Sequence, residues 1–167
     1  GLSYGITPLI SSKKSDTHYI SKTLYNGIYL NLIFTILLVV FTMYSKYFLE
    51  YLGQDREVLS FTYKYLDIIC ISLFPLILFQ TFKQFIEGLG FTKPPMYISI
   101  FSNVLNILLN FILIYGLFGF PRLEIVGAAY ATLISRVVML VMVFIYCLNS
   151  KKFKKYILLF ESSWDYK

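Results

Sequence analysis

Residues 95–115, PMYISIFSNVLNILLNFILIY, contain no charged side chain. As a helix this run is long enough to cross the hydrocarbon core of a bilayer, which needs about 20 apolar residues. Its polar members Ser99, Asn103, Asn106 and Asn110 are spaced four, three and four residues apart. At ~100° per residue they share an arc of roughly 60°. Because lipid offers a carboxamide no hydrogen-bond partner, this stripe must face other helices or a wet cavity.

The composition of the whole chain agrees with a membrane protein. Of its 167 residues, 57% are hydrophobic and 14% are charged, and the mean hydropathy is +0.68. A soluble domain carries about 25% charged residues. The apolar residues fall into long runs, which predict an all-α integral membrane protein, a polytopic bundle with four complete transmembrane helices. These helices are predicted at about residues 24–48, 61–87, 95–115 and 125–148.

The two ends of the chain predict partial elements. Residues 1–23 are expected to hold the end of a further transmembrane helix and a cytoplasmic loop, and residues 149–167 a basic connector. Since neither end looks closed, the chain is expected to be a fragment. One helical face of the tail is apolar, which suits a helix lying in the membrane interface. A plain connector to further sequence is the alternative. That face carries Phe153, Tyr156, Ile157, Phe160 and Trp164.

Positive charges predict the orientation of the helices. The formal net charge is +6, and the basic residues flank the apolar runs, where membrane topology explains them better than nucleic-acid binding. Three loops that carry lysine alternate along the chain and are therefore predicted to be cytoplasmic. Their lysines are Lys13, Lys14 and Lys22, then Lys93, then Lys151, Lys152, Lys154 and Lys155. The expected partners are a lipid bilayer and other membrane helices, with no nucleic acid.

A second polar face occurs in the fourth predicted helix. Thr132, Ser135 and Arg136 share it with Ala128 and Met139. Arg136 lies near mid-span, where a cation costs about 2.5–3.5 kcal/mol unless it is paired or wet. It is expected to point inward to a carboxylate or to backbone carbonyls, and a structural ion pair and a substrate contact both remain open.

The asparagine stripe admits two interpretations. In the first interpretation the asparagines form hydrogen bonds between helices, each of which stabilises helix association by ~0.6–2 kcal/mol. A single buried asparagine would favour this interpretation. Three on one face, with Ser99 and Ser102 nearby, favour a hydrated functional cavity. The sequence contains no catalytic triad, metal-ligand spacing or nucleotide loop, so no enzyme and no resident cofactor or metal is expected.

Four segments resemble one transporter family. Residues 85–96 are similar to the loop between the fourth and fifth helices of multidrug and toxic compound extrusion (MATE) transporters. Residues 106–116 resemble the fifth helix of that family, residues 127–135 the start of the sixth, and residues 1–10 the end of the second. The order and spacing of these matches extend over nearly the whole chain.

This resemblance implies a twelve-helix antiporter of two lobes, which exports small organic cations across a bacterial inner membrane in exchange for protons or sodium. The chain would then hold the end of helix two and helices three to six of the first lobe. The cation site of the family carries over to Asn106, Asn110 and Thr132, which are candidate sodium ligands, while Asn103 and Arg136 shape the cavity.

Two departures from the family pattern concern the coupling ion. Some branches have Asp where this chain has Asn110, and the acidic residue of the first helix falls outside the chain. An amide can ligate sodium through its carbonyl oxygen but cannot release a proton. The coupling ion, sodium or a proton, therefore stays open.

Two alternatives to an ion-coupled exporter remain. A flippase for lipid-linked oligosaccharides shares the helix plan of the superfamily, although such proteins tend to line their cavity with several cations and Arg136 is the single deep one here. In a membrane scaffold subunit without transport activity, the polar stripes would form hydrogen-bonded contacts between helices that exclude water.

Overall fold

The fold is an all-helical bundle, seen in a computed structural model that describes residues 5–12, 16–50 and 55–158, with the side chains of 49, 50, 57, 157 and 158 excepted. The described part contains helices and turns and no strand. A short 3-10 turn, Leu117–Gly119, separates the fourth and fifth helices. The helices are α1 (Ile6–Ser12), α2 (Thr17–Glu50), α3 (Arg56–Gly88), α4 (Lys93–Tyr115), α5 (Glu124–Asn149) and α6 (Lys151–Leu158).

Four of these helices, α2 to α5, are long and apolar enough to cross a membrane. The predicted bundle with four membrane helices is therefore confirmed. The first of them differs from the prediction because α2 begins at Thr17 rather than near Leu24. Hydropathy detects only the apolar part of a helix, and residues 17–23 are largely polar, so the helix extends beyond its hydrophobic stretch.

Local sequence explains the bounds of α4. Its first turn contains Pro94 and Pro95, which fit there because the first N–H groups of a helix have no partner within the helix. It ends at Gly116, which has a left-handed backbone (φ +71°). A Cβ at Gly116 would lie 2.8 Å from the backbone nitrogen of Arg122, so this tight turn into α5 requires glycine.

The helices are arranged around α3 and α5. These two pack along each other, α2 packs on α3, and α4 packs almost entirely on α5. The outer faces of α2 and α4 carry large exposed apolar side chains, among them Phe41, Ile107 and Phe111. Such faces need lipid or further helices to cover them.

The hydrophobic core lies towards one end of the bundle. There α1, α6 and the adjoining ends of α2, α3 and α5 meet. The apolar face of α6 is part of this core: Phe153 is 1% exposed and Tyr156 6%, and both rings contact Phe85 of α3 edge-on. The expectation that this face enters the membrane interface is therefore wrong for these two residues, because protein covers them. Phe160 and Trp164 lie outside the described residues, as does the side chain of Ile157.

Candidate functional site

A polar cavity of about 250 Å³ opens where α4 and α5 meet the middle of α3. This volume accommodates several water molecules, each of which occupies about 30 Å³ in the liquid. The lining side chains are Leu76 from α3, Ser102, Asn103 and Asn106 from α4, and Thr132, Ser135, Arg136 and Met139 from α5.

Small residues bring α4 and α5 close enough to form this cavity. A Cβ added at Gly127 would lie 2.7 Å from the backbone oxygen of Leu113, which is closer than real Cβ atoms approach. Ala129 and Ala131 on α5 are fully buried. Close backbone contact at small residues is how membrane helices associate without a hydrophobic driving force.

The asparagines of α4 form a local pair. The Nδ2 of Asn110 donates a hydrogen bond to the Oδ1 of Asn106 at 3.0 Å, one helical turn away. Asn106 lines the cavity, and Asn110 does not. A carbonyl oxygen has two lone pairs, so the Oδ1 of Asn106 can accept from Asn110 and still bind a ligand in the cavity.

The threonine and serine hydroxyls of α5 are oriented by their own helix. Thr132 donates to the backbone oxygen of Ala128 at 2.9 Å, and Ser135 donates to that of Ala131 at 2.8 Å. Because these protons are engaged, each hydroxyl offers its remaining lone pairs as acceptors. Ser102 of α4 is buried, and among the described residues its hydroxyl has no hydrogen-bond partner.

Arg136 brings a positive charge to the same cavity. Its guanidinium donates from Nη1 to the Oγ of Ser72 on α3 at 2.6 Å. Ser72 is fully buried and donates in turn to the backbone oxygen of Ile69. Within residues 5–12, 16–50 and 55–158, no carboxylate lies within 4.0 Å of Arg136. The expected inward direction is therefore seen, but the expected carboxylate or carbonyl partner is replaced by a hydroxyl.

The structure brings together four of the five residues singled out from the sequence. Asn103, Asn106, Thr132 and Arg136 line one cavity, and Asn110 adjoins it through Asn106. Ser99 is outside the lining and donates to the backbone oxygen of Pro95.

Two contributions from α3 were missed by sequence reasoning. These are Ser72, which holds Arg136, and Leu76 in the lining. A single serine or leucine inside an apolar run carries no signal of which helix it faces, so neither residue could have been found in this way.

A larger cavity lies between the other ends of α2 and α3 and is a weaker candidate. Its volume is about 660 Å³, and it is walled mainly by apolar and tyrosine side chains. Its two charged residues, Lys46 and Asp67, form an ion pair with each other. Their charges are therefore already satisfied. In the cavity between α4 and α5, by contrast, the described part of the chain offers no hydrogen-bond partner to the Ser102 hydroxyl and no carboxylate to Arg136.

Comparisons with known proteins agree with the helix plan. The MatE family model matches residues 1–112. A probable multidrug resistance protein NorM from Photorhabdus laumondii subsp. laumondii is 33% identical over 141 residues, which cover 84% of this chain and 31% of that protein. The multidrug resistance protein NorM of Vibrio cholerae serotype O1 is 27% identical over 154 residues, which cover 91% of this chain and 34% of that protein.

A solved structure has the same fold. It is the inward-facing conformation of a multidrug resistance MATE family transporter of the MOP superfamily, with a TM-score of 0.82 and 22% sequence identity. The match covers 95% of this chain and 36% of that one. This chain spans about a third of the length of the relatives that it matches.

Proposed function

The chain belongs to the MatE family, and from this premise we propose that the full-length protein exports small organic cations across a bacterial cytoplasmic membrane in exchange for sodium or protons. The observation that carries the proposal is the cavity between α4 and α5, because amide and hydroxyl groups from two neighbouring helices converge there. In this proposal the cavity binds the coupling cation, while the transported cation uses a path completed by the rest of the carrier.

The donor set suits a hard cation. Sodium prefers oxygen ligands, as calcium and magnesium do. Asn106 supplies an amide oxygen and Thr132 a hydroxyl oxygen whose proton is held by the backbone of α5. Asn110 adds a second amide, one turn along α4. All three groups are neutral, so they can bind and release a cation without a change of protonation.

The charge of the cavity requires an anion from elsewhere in the carrier. Arg136 already places one positive charge beside the proposed cation site, and a second cation nearby is unfavourable in a medium of low dielectric constant. We propose that a carboxylate from a helix outside this chain offsets one of these two charges and so lowers the repulsion between them. Such a carboxylate is also the group that could take up and release a proton, since amides cannot.

Transport itself is proposed to follow alternating access between two lobes. In carriers of this kind the site lies near the midplane, and the lobes rock around it. The exposed apolar faces of α2 and α4 suit this scheme, because the other helices of the carrier would cover them. No covalent chemistry is needed at any step.

The proposal predicts that Thr132→Val weakens coupling to the cation. The substitution preserves the shape of the side chain but removes one oxygen ligand of a charged group, which contributes about 1.5–3 kcal/mol, or at least about tenfold in apparent affinity. Drug efflux by the full-length protein in proteoliposomes should therefore need at least about tenfold more of the coupling cation for half-maximal rate. The efflux rate is measured as a function of ion concentration, once with sodium gradients and once with proton gradients. The ion whose curve shifts in the variant is the coupling ion.

Thr42→Val is the matched control for this experiment. The Thr42 hydroxyl also donates to a carbonyl four residues earlier, at Leu38 in α2, but it lies outside the cavity between α4 and α5. The efflux rate of the Thr42→Val variant should depend on ion concentration as that of the unsubstituted protein does. An unshifted curve for Thr132→Val with both ions would remove Thr132 from the proposed site.

Neither alternative is favoured by what is known of the site. A flippase for lipid-linked oligosaccharides would be expected to present several cations, and among the described residues that line this cavity Arg136 is the one cation. A scaffold would bury its amides in dry contacts between helices, whereas Asn103 is exposed and Asn106 lines an open space.

A further inference from the structure

We propose that a second site, of similar size and beside α6, binds the phosphate group of an anionic phospholipid. The site is a cavity of about 260 Å³ between α6 and the turn that joins α3 to α4. Its lining consists of Leu89, Phe91, Lys152, Phe153, Lys155 and Tyr156. It is separate from the polar cavity between α4 and α5 and shares no residue with it.

The aromatic core fixes the position of α6. The Phe153 ring packs against Phe85, Phe91 and Tyr146, with ring centroids 5.4–6.0 Å apart. In addition, the Ser21 hydroxyl of α2 donates to the backbone oxygen of Tyr156 at 2.9 Å. A helix held by three neighbouring elements presents its remaining side chains at defined positions. The backbone positions from which the lysine side chains of α6 extend are therefore fixed.

Two of these lysines border the cavity. Lys152 and Lys155 are three residues apart and therefore lie on one side of α6. The Nζ of Lys152 is 4.8 Å from the Phe91 ring centroid, and the Nζ of Lys155 is 4.7 Å from that of Tyr156. These cation–π contacts hold both ammonium groups at the rim of an apolar floor.

The charge of the site selects an anion. The described residues that line it include two cations and no acidic side chain. Among the described residues, no lysine of α6 forms an ion pair with a carboxylate. Ammonium groups beside apolar walls suit a ligand that joins a phosphate to an apolar body.

The place of the cavity in the fold identifies the source of that phosphate. Phe91 precedes the first residue of α4, and Lys152 follows the end of α5. The cavity therefore lies where the apolar helices stop, which is the depth of lipid headgroups. The lysine distribution predicts that this side is cytoplasmic. The occupant is accordingly an anionic phospholipid of that leaflet rather than a soluble phosphate.

The test compares two double variants of the full-length protein that carry the same change of charge. Lys152→Gln with Lys155→Gln removes the two lysines at the cavity, and Lys151→Gln with Lys154→Gln removes two exposed lysines that do not line it. Native mass spectrometry of the purified protein measures the binding of phosphatidylglycerol and of phosphatidylcholine. At about fivefold per lysine, the first variant should lose about 25-fold in affinity for phosphatidylglycerol, and the second variant much less.

Four other outcomes would overturn the proposal. An equal loss in both variants would mean diffuse attraction between the lysines and the membrane. Equal affinity for the two lipids would exclude recognition of an anion. Displacement of the lipid by millimolar inorganic phosphate, with the phosphate bound in its place, would assign the site to a soluble ligand. Lys152→Arg with Lys155→Arg preserves both charges, so failure of this folded variant to bind the anionic lipid would also contradict the site.

Discussion

Replacing Asn106 and Asn110 together by leucine in the full-length protein is expected to abolish the export of a cationic dye. The two amides form one hydrogen-bonded pair beside the cavity, and leucine removes both carbonyl oxygens. A hydrogen bond or ligand contact to a charged group contributes about 1.5–3 kcal/mol. Leucine at 106 removes one such contact, which weakens cation binding by about 10- to 100-fold, and leucine at 110 removes the hydrogen bond that Asn110 donates to Asn106, so the site is left largely empty at ordinary ion concentrations.

Dye accumulation in cells that lack their own exporters measures this effect. The amount of protein in the membrane is compared in the same cells, so that a loss of transport is separated from a loss of expression. Asn110→Gln serves as the conservative variant because it retains a carboxamide, with both its oxygen and its N–H donors, and its export should persist. Unchanged export by the double leucine variant, at a normal amount of protein, would contradict the assignment of ion coupling to this cavity.

The second large effect is expected from Gly127→Ala. The new methyl group would lie 2.7 Å from the oxygen and 2.8 Å from the carbon of the Leu113 carbonyl group. These are backbone atoms of α4, so the helix itself must move away from α5. Overpacking of this kind costs about 1–3 kcal/mol, and it acts against the gain of about 0.5–1 kcal/mol that alanine usually gives over glycine in a helix. The shift also distorts the cavity that both helices line.

Thermal unfolding of the purified full-length protein tests this expectation. Gly5→Ala is the matched control, because a Cβ at Gly5 would meet no atom within 4 Å. The midpoint temperature of Gly127→Ala should fall below that of the unsubstituted protein, and that of Gly5→Ala should not. Equal midpoints for the two variants would show that α4 and α5 do not pack through Gly127.

Much of the fold could be predicted because the bilayer places the same two requirements on every membrane-spanning helix. A helix must be about 20 apolar residues long and must satisfy its own backbone, and each of α2 to α5 shows this in its sequence. The first and last residues of the helices were harder to predict from the sequence. The start of α2 at Thr17 lies in polar sequence, where hydropathy gives no signal. The docking of α6 was missed because an amphipathic helix fits a membrane surface or a protein surface equally well by pattern alone.

The site was predictable one helix at a time. Asn103 and Asn106 share a face of α4, and Thr132 and Arg136 share a face of α5, as the periodicity of a helix requires. The sequence did not indicate that these two faces meet, nor that Ser72 of α3 would hold Arg136. Such contacts depend on the packing of helices distant in sequence. That packing is set here by small residues such as Gly127, which periodicity does not reveal.

Water access to position 106 is the most direct measurement of the central claim, that the cavity between α4 and α5 is a hydrated site. The experiment uses full-length protein with Cys70→Ala, Cys147→Ala and Asn106→Cys, so that the buried native thiols give no background. A thiol reacts as its thiolate, which forms only where water reaches it. The control is Ile107→Cys, since Ile107 is 62% exposed on the apolar outer face of α4.

We expect a water-soluble thiol reagent to label position 106 and to label position 107 far more slowly. A folded protein whose position 106 stays unlabelled under every ion condition would contradict this account, and the asparagines of α4 would then be dry contacts between helices.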